Sequence, residues 1–166
     1  MMSGRLIELI ETHADGLTQG ALRDLATNPR TPSFYLVPRH ELQARVFTTY
    51  HSLGQWITDP HDDMVRAEYE RWGARRFQQG IPLSEIVYAM ILIKHHLGQF
   101  VRDHGLLEFS GDRAVPGEFI GVQLYGIQEL NHMVSEFFDR AMYYLTRGYE
   151  QEANRLASHA SVVERP

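Results

Sequence analysis

With 166 residues, 43% of them apolar and 22% charged, the chain is long enough for one domain with a substantial core, and its composition is that of a soluble globular protein. A net charge of −5 speaks against a general nucleic-acid binder, and the absence of cysteine excludes disulfides, thiolate metal sites and cysteine nucleophiles. The opening "MMSGRLIELIETH" has charges on both sides of a short apolar stretch, and no run reaches the roughly 20 apolar residues that cross a bilayer. A cytoplasmic protein without membrane contact is expected.

Apolar spacing is helical almost throughout. Leu6, Leu9, Ile10, Leu17, Ala21, Leu22 and Leu25 fit one face of a first helix. "TNPRTPSFYLVP" is punctuated by Pro29, Pro32 and Pro38 and predicts an extended connection. Leu42, Val46, Phe47, Tyr50, Leu53 and Trp56 mark a second helix, stopped by "TDP". In "DPHDDM", the aspartates are expected to cap a third helix and to favour the positive end of its dipole. That helix carries Val65, Tyr69, Trp72 and Arg76 on one face, with Trp72 as its anchor.

"QQGIPLSE" predicts a tight joint: Gly80 ends one helix, Pro82 opens the next, and Glu85 lies near the new N-terminus. The fourth helix is apolar nearly all round through Ile93, so a central position is expected, with an end near "RDHG". "LLEFSGDRAVPGEF" predicts a loop. Next comes the longest periodic segment. Ile120, Leu124, Ile127, Asn131, Val134, Phe138, Ala141, Leu145 and Gly148 follow a 4-3 heptad spacing, with Asn131 suited to fixing register in a dimer. A helix from about Gly117 to Leu156 would be roughly 60 Å long against a domain about 30–40 Å across, so part of it should project or pair with another copy. The expected fold is all-α, a five- to six-helix bundle with a long C-terminal helix. Residues 1–156 form a single domain and 157–166 a flexible tail.

The stretch "RWGARRFQQGIPLSEIVYAMILIKHHL" resembles the RsbT co-antagonist sensor-domain family, the RsbRD N-terminal type. The features that carry the resemblance are Trp72, Arg75 and Arg76, then Gly80, Pro82, Leu83 and Glu85, then the apolar run from Val87. "FFDRAMYYLTRGYE" in the last helix fits as well, since such domains pass a signal onward through a final helix. The resemblance implies a stressosome-like helical sensory or regulatory domain. It leaves open a non-haem globin-like arrangement or a simpler bundle, often dimeric and attached to an output domain. The stretch after Leu156, "ASHASVVERP", is too short for a STAS, kinase or DNA-binding output. The expectation is therefore either a fragment or a domain that works by contacting another protein.

Candidate chemistry is sparse. His95 and His96 point about 100° apart on a helix. One of them could ligate haem or a small molecule as neutral imidazole, but no partner ligands stand at helix spacing, which favours a hydrogen-bonded core histidine beside a solvent-facing one. "ELNH" puts Glu129 and His132 on one helix face, as di-iron bundles require, without the second such motif those sites need. Tyr143, Tyr144, Tyr149, Phe137 and Phe138 crowd the last helix and are expected to serve packing and dimer contact. No G-x-S-x-G, P-loop, G-x-G-x-x-G or H-E-x-x-H motif occurs, so no catalytic residue and no metal site is assigned. The sequence points to a non-enzymatic regulatory domain that dimerises through Ile120, Leu124, Ile127, Asn131, Val134, Phe138, Ala141 and Leu145 and signals to a protein partner. The alternative is a haem- or small-molecule-binding sensor using His95 or His96.

Overall fold

A computed structural model describes residues 2–110 and 120–163, and among these the fold is all-helical. The helices are α1 (Met2–Thr27), α2 (Arg39–Thr58), α3 (Asp62–Gln78), α4 (Leu83–Ser110) and α5 (Ile120–Val163), with a short 3-10 turn at Pro32–Leu36 between α1 and α2. The connection expected to be extended thus contains one tight turn. It is held by the buried Thr31 hydroxyl, which donates to the Leu25 carbonyl at 3.1 Å. α4 continues beyond "RDHG" to Ser110, because "LLEFS" after that glycine contains no helix breaker. The rest of the expected loop, residues 111–119, lies outside the described residues, as do the side chains of Leu6 and Ile120. α5 extends past the expected end at Leu156, to Val163.

The apolar stripes decide the packing. α1 runs antiparallel to α2, with Gln19 accepting from Arg39 at one end and Ile7 beside Gly54 at the other. α1 also runs antiparallel to α4, with His13 against Phe100 and Asp24 against His96, and Arg30 in the turn after α1 reaches Tyr88. α3 and α5 run parallel, since Asp62 meets Arg140, Glu70 meets Arg147 and Gln78 meets Glu152. The core between these layers includes Leu25, Leu53, Val65, Tyr69, Leu97 and Phe138, each at most 1% exposed. Burial of such side chains stabilises by about 1.5–3 kcal/mol apiece. α4, expected to be central, packs chiefly on α1 and α5 and is open on one side, where Ile91 is 44% exposed and Val87 and Tyr88 are half-buried. Phe47, assigned to the core stripe of α2, is 48% exposed, because it stands on the flank of α2 at an open groove toward α1.

Candidate signalling site

The Gly80 joint is built by backbone geometry. Gly80 has φ +71°, the left-handed conformation that costs glycine least. Its N–H donates to the Phe77 carbonyl at 2.9 Å, and the Ile81 N–H donates to the Arg76 carbonyl at 3.1 Å, the paired bonds of a Schellman motif. Ile81 is buried beneath the turn, and its carbonyl accepts from the Tyr149 hydroxyl of α5 at 3.0 Å. Pro82 lies one residue before α4, and its carbonyl accepts the first helical bonds, from the N–H groups of Glu85 and Ile86. Glu85 does more than complement the helix dipole. Its two carboxylate oxygens accept from the Ser33 N–H at 2.8 Å and the Ser33 hydroxyl at 2.9 Å, tying the start of α4 to the 3-10 turn.

Trp72 is 5% exposed and lies under the Arg45 guanidinium, 4.5 Å from its ring centroid. Beside it, Arg76 is buried against Glu41, with Nη1 donating to Glu41 Oε1 at 3.1 Å and to Gln79 Oε1 at 2.6 Å. Arg75 adds a second donor set to the same carboxylate. The hydrogen bond from Arg75 is the largest influence on the Glu41 carboxyl. It outweighs burial, and with Gln79 and the Arg76 charge it brings the carboxyl down to about 2. Glu41 thus fastens α2 to the end of α3 directly before the joint. Nothing in its local sequence distinguishes it from an ordinary first-turn acid, so sequence reasoning misses it.

α3 and α5 meet backbone to backbone. A Cβ on Gly73 would collide with the Leu145 carbonyl, and one on Gly148 would collide with the Glu70 carbonyl. The two glycines are therefore the means by which the helices approach so closely. An isolated glycine inside a helical pattern is the sequence signal for Gly73, and Gly148 already stands on the heptad seam. Polar contacts flank the crossing along both helices: Arg140 with both oxygens of Asp62 (2.8 and 2.7 Å), Arg147 with Glu70 (3.3 Å), and Gln78 with Glu152 (2.9 Å). Asp62 also accepts from the Tyr144 hydroxyl. The N-cap position of α3 is His61, whose side chain makes no capping bond, so Asp62 serves the α5 contact instead of capping.

The heptad seam accordingly divides. Phe138, Ala141 and Leu145 are at most 3% exposed and pack into this chain's own core, which corrects their assignment to an interface between copies. The reason is the Gly73–Gly148 crossing, which seats this half of α5 on α3. Upstream, Leu124 is 60% exposed, Asn131 is exposed, and Ile127 and Val134 are half-buried. At the far end every residue from Asn154 to Val162 is exposed. Of the aromatic cluster, Phe137 and Phe138 are core, Tyr149 stacks edge-on to Phe77, and Tyr143 is 60% exposed.

The histidines do not converge. His95 is exposed, whereas His96 pairs through Nε2 with Asp24 Oδ2 at 3.0 Å, joining α4 to α1. Burial raises the Asp24 carboxyl, but the hydrogen bonds from Asn28 and His96 outweigh it, and the net shift is downward. His96 is thus tied to α1 through its Nε2. Glu129 and His132 both face solvent on α5. Among the described residues no group of three or more His, Asp or Glu side chains could hold a metal ion, and no helix is long and apolar enough to cross a membrane.

A family model described as the RsbT co-antagonist protein rsbRD N-terminal domain matches residues 15–163. The chain belongs to this family. No curated protein and no solved structure matches it. Family membership makes the chain a regulatory domain of the co-antagonist type. The matched span takes in the Gly80 joint, the α3–α5 crossing and the whole of α5, while the part of α1 before Asp15 precedes it.

Proposed function

We propose that the chain is a non-enzymatic, stressosome-type sensory domain of the cytoplasm, which self-associates through the surface around Leu124 and Tyr125 of α5 and signals through the exposed turns from Asn154 to Val162 to a partner protein. One observation carries the reading. α5 has 44 residues and is about 66 Å long; its middle is locked onto α3, while Leu124 and Tyr125 on one side of that contact and Asn154 to Val162 on the other are exposed. A helix held in this way converts a small change in core packing into a displacement at its tips. The cue would favour one of two packings of α4 and α5, and its differential affinity sets how far the equilibrium moves. Leu124 and Tyr125, 60% and 68% exposed, with Ile127, Asn131 and Val134 beside them, form the surface for a second copy. The charged and small residues from Asn154 to Val162 form the surface for the partner.

Native mass spectrometry tests the self-association. The expected result is twice the chain mass, reduced to one chain by Leu124→Glu with Ile127→Glu while the helical circular dichroism is retained. A wild-type protein that stays at one chain mass at high concentration would refute it.

A further inference from the structure

We propose that the core cavity where the end of α3 meets the starts of α2 and α4 binds a small carboxylate of the formate or acetate type, its charge met by Arg45, Arg76 and the Trp72 indole N–H and its carbon by Ile86, Met90 and Ile93. All five helices contribute to the wall: Leu25 of α1, Arg45 of α2, Trp72 of α3, Met90 of α4 and Leu145 of α5, with Phe34 of the 3-10 turn. The volume is about 40 Å³. One water needs about 10–15 Å³ of such space, so there is room for roughly three or four heavy atoms and none for a ring.

The charge in this wall is positive and incompletely answered. Arg45 is half-buried, with its guanidinium 4.5 Å from the Trp72 ring centroid, and among the described residues its side chain makes no hydrogen bond and no ion pair. Arg76, only 7% exposed, gives Nη1 to Glu41 and Gln79, while its Nε and Nη2 have no partner among the described residues. The Trp72 Nε1–H is buried and also without an acceptor there. Buried donors left unpaired carry the full cost of their desolvation, so three such groups around one small space call for an acceptor. The neighbouring carboxylates are engaged elsewhere: Glu41 with Arg75, Arg76 and Gln79, and Glu68 with the Ser52 hydroxyl. Burial pushes the Arg45 guanidinium down from its ordinary value, with Arg75 and Arg71 adding to it against Glu41 and Glu68. Arg76 moves the same way, again chiefly through burial. Both shifts mark positive charge short of counter-charge.

Shape and polarity narrow the class. A planar carboxylate matches the guanidinium fork, whereas a cation is repelled. Ile86, Met90 and Ile93 suit a methyl group and would leave the further oxygens of phosphate or sulfate unpaired. The site stands on this geometry and does not depend on the sensory reading above. Leu145, in its wall, is also the residue whose carbonyl lies against Gly73, so the occupant would bear on the α3–α5 crossing.

The test follows the indole N–H signals of the full, isotope-labelled chain by NMR during titration with sodium acetate, beside sodium chloride, methylammonium chloride and sodium benzoate at equal ionic strength. The chain has two tryptophans. Trp72 should shift saturably with acetate while Trp56 stays in place, with a Kd on the order of 1 mM, the scale open to a four-atom ligand. Arg45→Gln should weaken acetate about tenfold, with an unchanged Trp56 signal and helical circular dichroism showing that the fold is kept. Arg45→Lys, which retains the charge without the fork, should fall between the two. A Trp72 signal unmoved by acetate would overturn the proposal and leave the cavity to water. Chloride or methylammonium acting as acetate does, or benzoate binding as well despite its ring, would also overturn it, as would undiminished acetate binding by a folded Arg45→Gln protein.

Discussion

Replacing Gly148 by alanine should destabilise the protein, although alanine is the better helix former. In an open helical position the exchange gains about 0.5–1 kcal/mol from backbone entropy and propensity. At Gly148 the new methyl collides with the Glu70 carbonyl, a backbone group that cannot rotate aside as a side chain would. α3 and α5 must part, and a gap of about 0.5–1 Å forfeits roughly a quarter to a half of each dispersion contact across it. Overpacking of this kind costs about 1–3 kcal/mol, and the immovable partner puts Gly148 toward the upper end. Net of the propensity gain, the loss is about 1–2 kcal/mol, or roughly 2–8 °C in Tm for a chain of this size. Gly16 supplies the control: it is exposed in α1, with nothing near a Cβ, and Gly16→Ala should raise Tm by about 1–4 °C. Thermal and urea unfolding followed by circular dichroism would measure both. A Gly148→Ala protein as stable as, or more stable than, the wild type would refute the close crossing on which the account of α5 depends.

Gly73→Ala strikes the same crossing from the other side, so the Gly73→Ala, Gly148→Ala double variant should lose clearly less than the sum of the two, a non-additivity that urea midpoints would reveal. Glu85→Ala removes both bonds to Ser33 and should cost about 1–3 kcal/mol in urea unfolding, with Ser33→Ala less damaging because the Ser33 N–H bond remains. Glu41 gives a pH signature. Its folded carboxyl is held at about 2 against an ordinary 4.5, so its contribution is fully present above about 4.5 and is lost as pH falls toward about 2. Glu41→Gln should therefore be clearly less stable than wild type at neutral pH and converge with it across that window; a gap that stays constant down to pH of about 2 would contradict the Arg75–Glu41–Arg76 arrangement.

Helix number, helix order and the joint were legible in the sequence because each has a local cause. Apolar recurrence at a helical period needs no tertiary information, and Gly80 followed by Pro82 marks a helix end and the next start wherever the chain goes. The allocation of faces was not legible. The heptad seam of α5 marks an apolar stripe without saying which surface covers it, and α3, which resembles any short amphipathic helix in sequence, takes the half around Phe138 and Leu145. Phe47 shows the same limit, since a position on the edge of a stripe is buried only if the neighbouring helix reaches it. Glu41 and Ser33 act through partners distant in the chain, Arg75 and Glu85, and no local pattern encodes such pairs.

The distribution of rigidity and exposure along α5 limits how a signal could pass. The helix is fixed to α3 by backbone contact at Gly148 and by polar pairs from Arg140 to Glu152, so the two should move as one body. α3 in turn is bound to α2 through Glu41, and the Gly80 turn is bound to α5 through the Tyr149 hydroxyl. On the other side of the fold, polar ties from α1 include the Asp24–His96 pair to α4 and the Gln19–Arg39 bond to α2, and between α1 and α2 lies the groove at Phe47. On the proposed sensory reading, a cue could act where α1 meets α2 and α4 only by changing the packing of α1's buried face against them. On that reading its effect would leave through the body that carries α5, whose exposed turns from Asn154 to Val162 lie where a rotation of that body is largest.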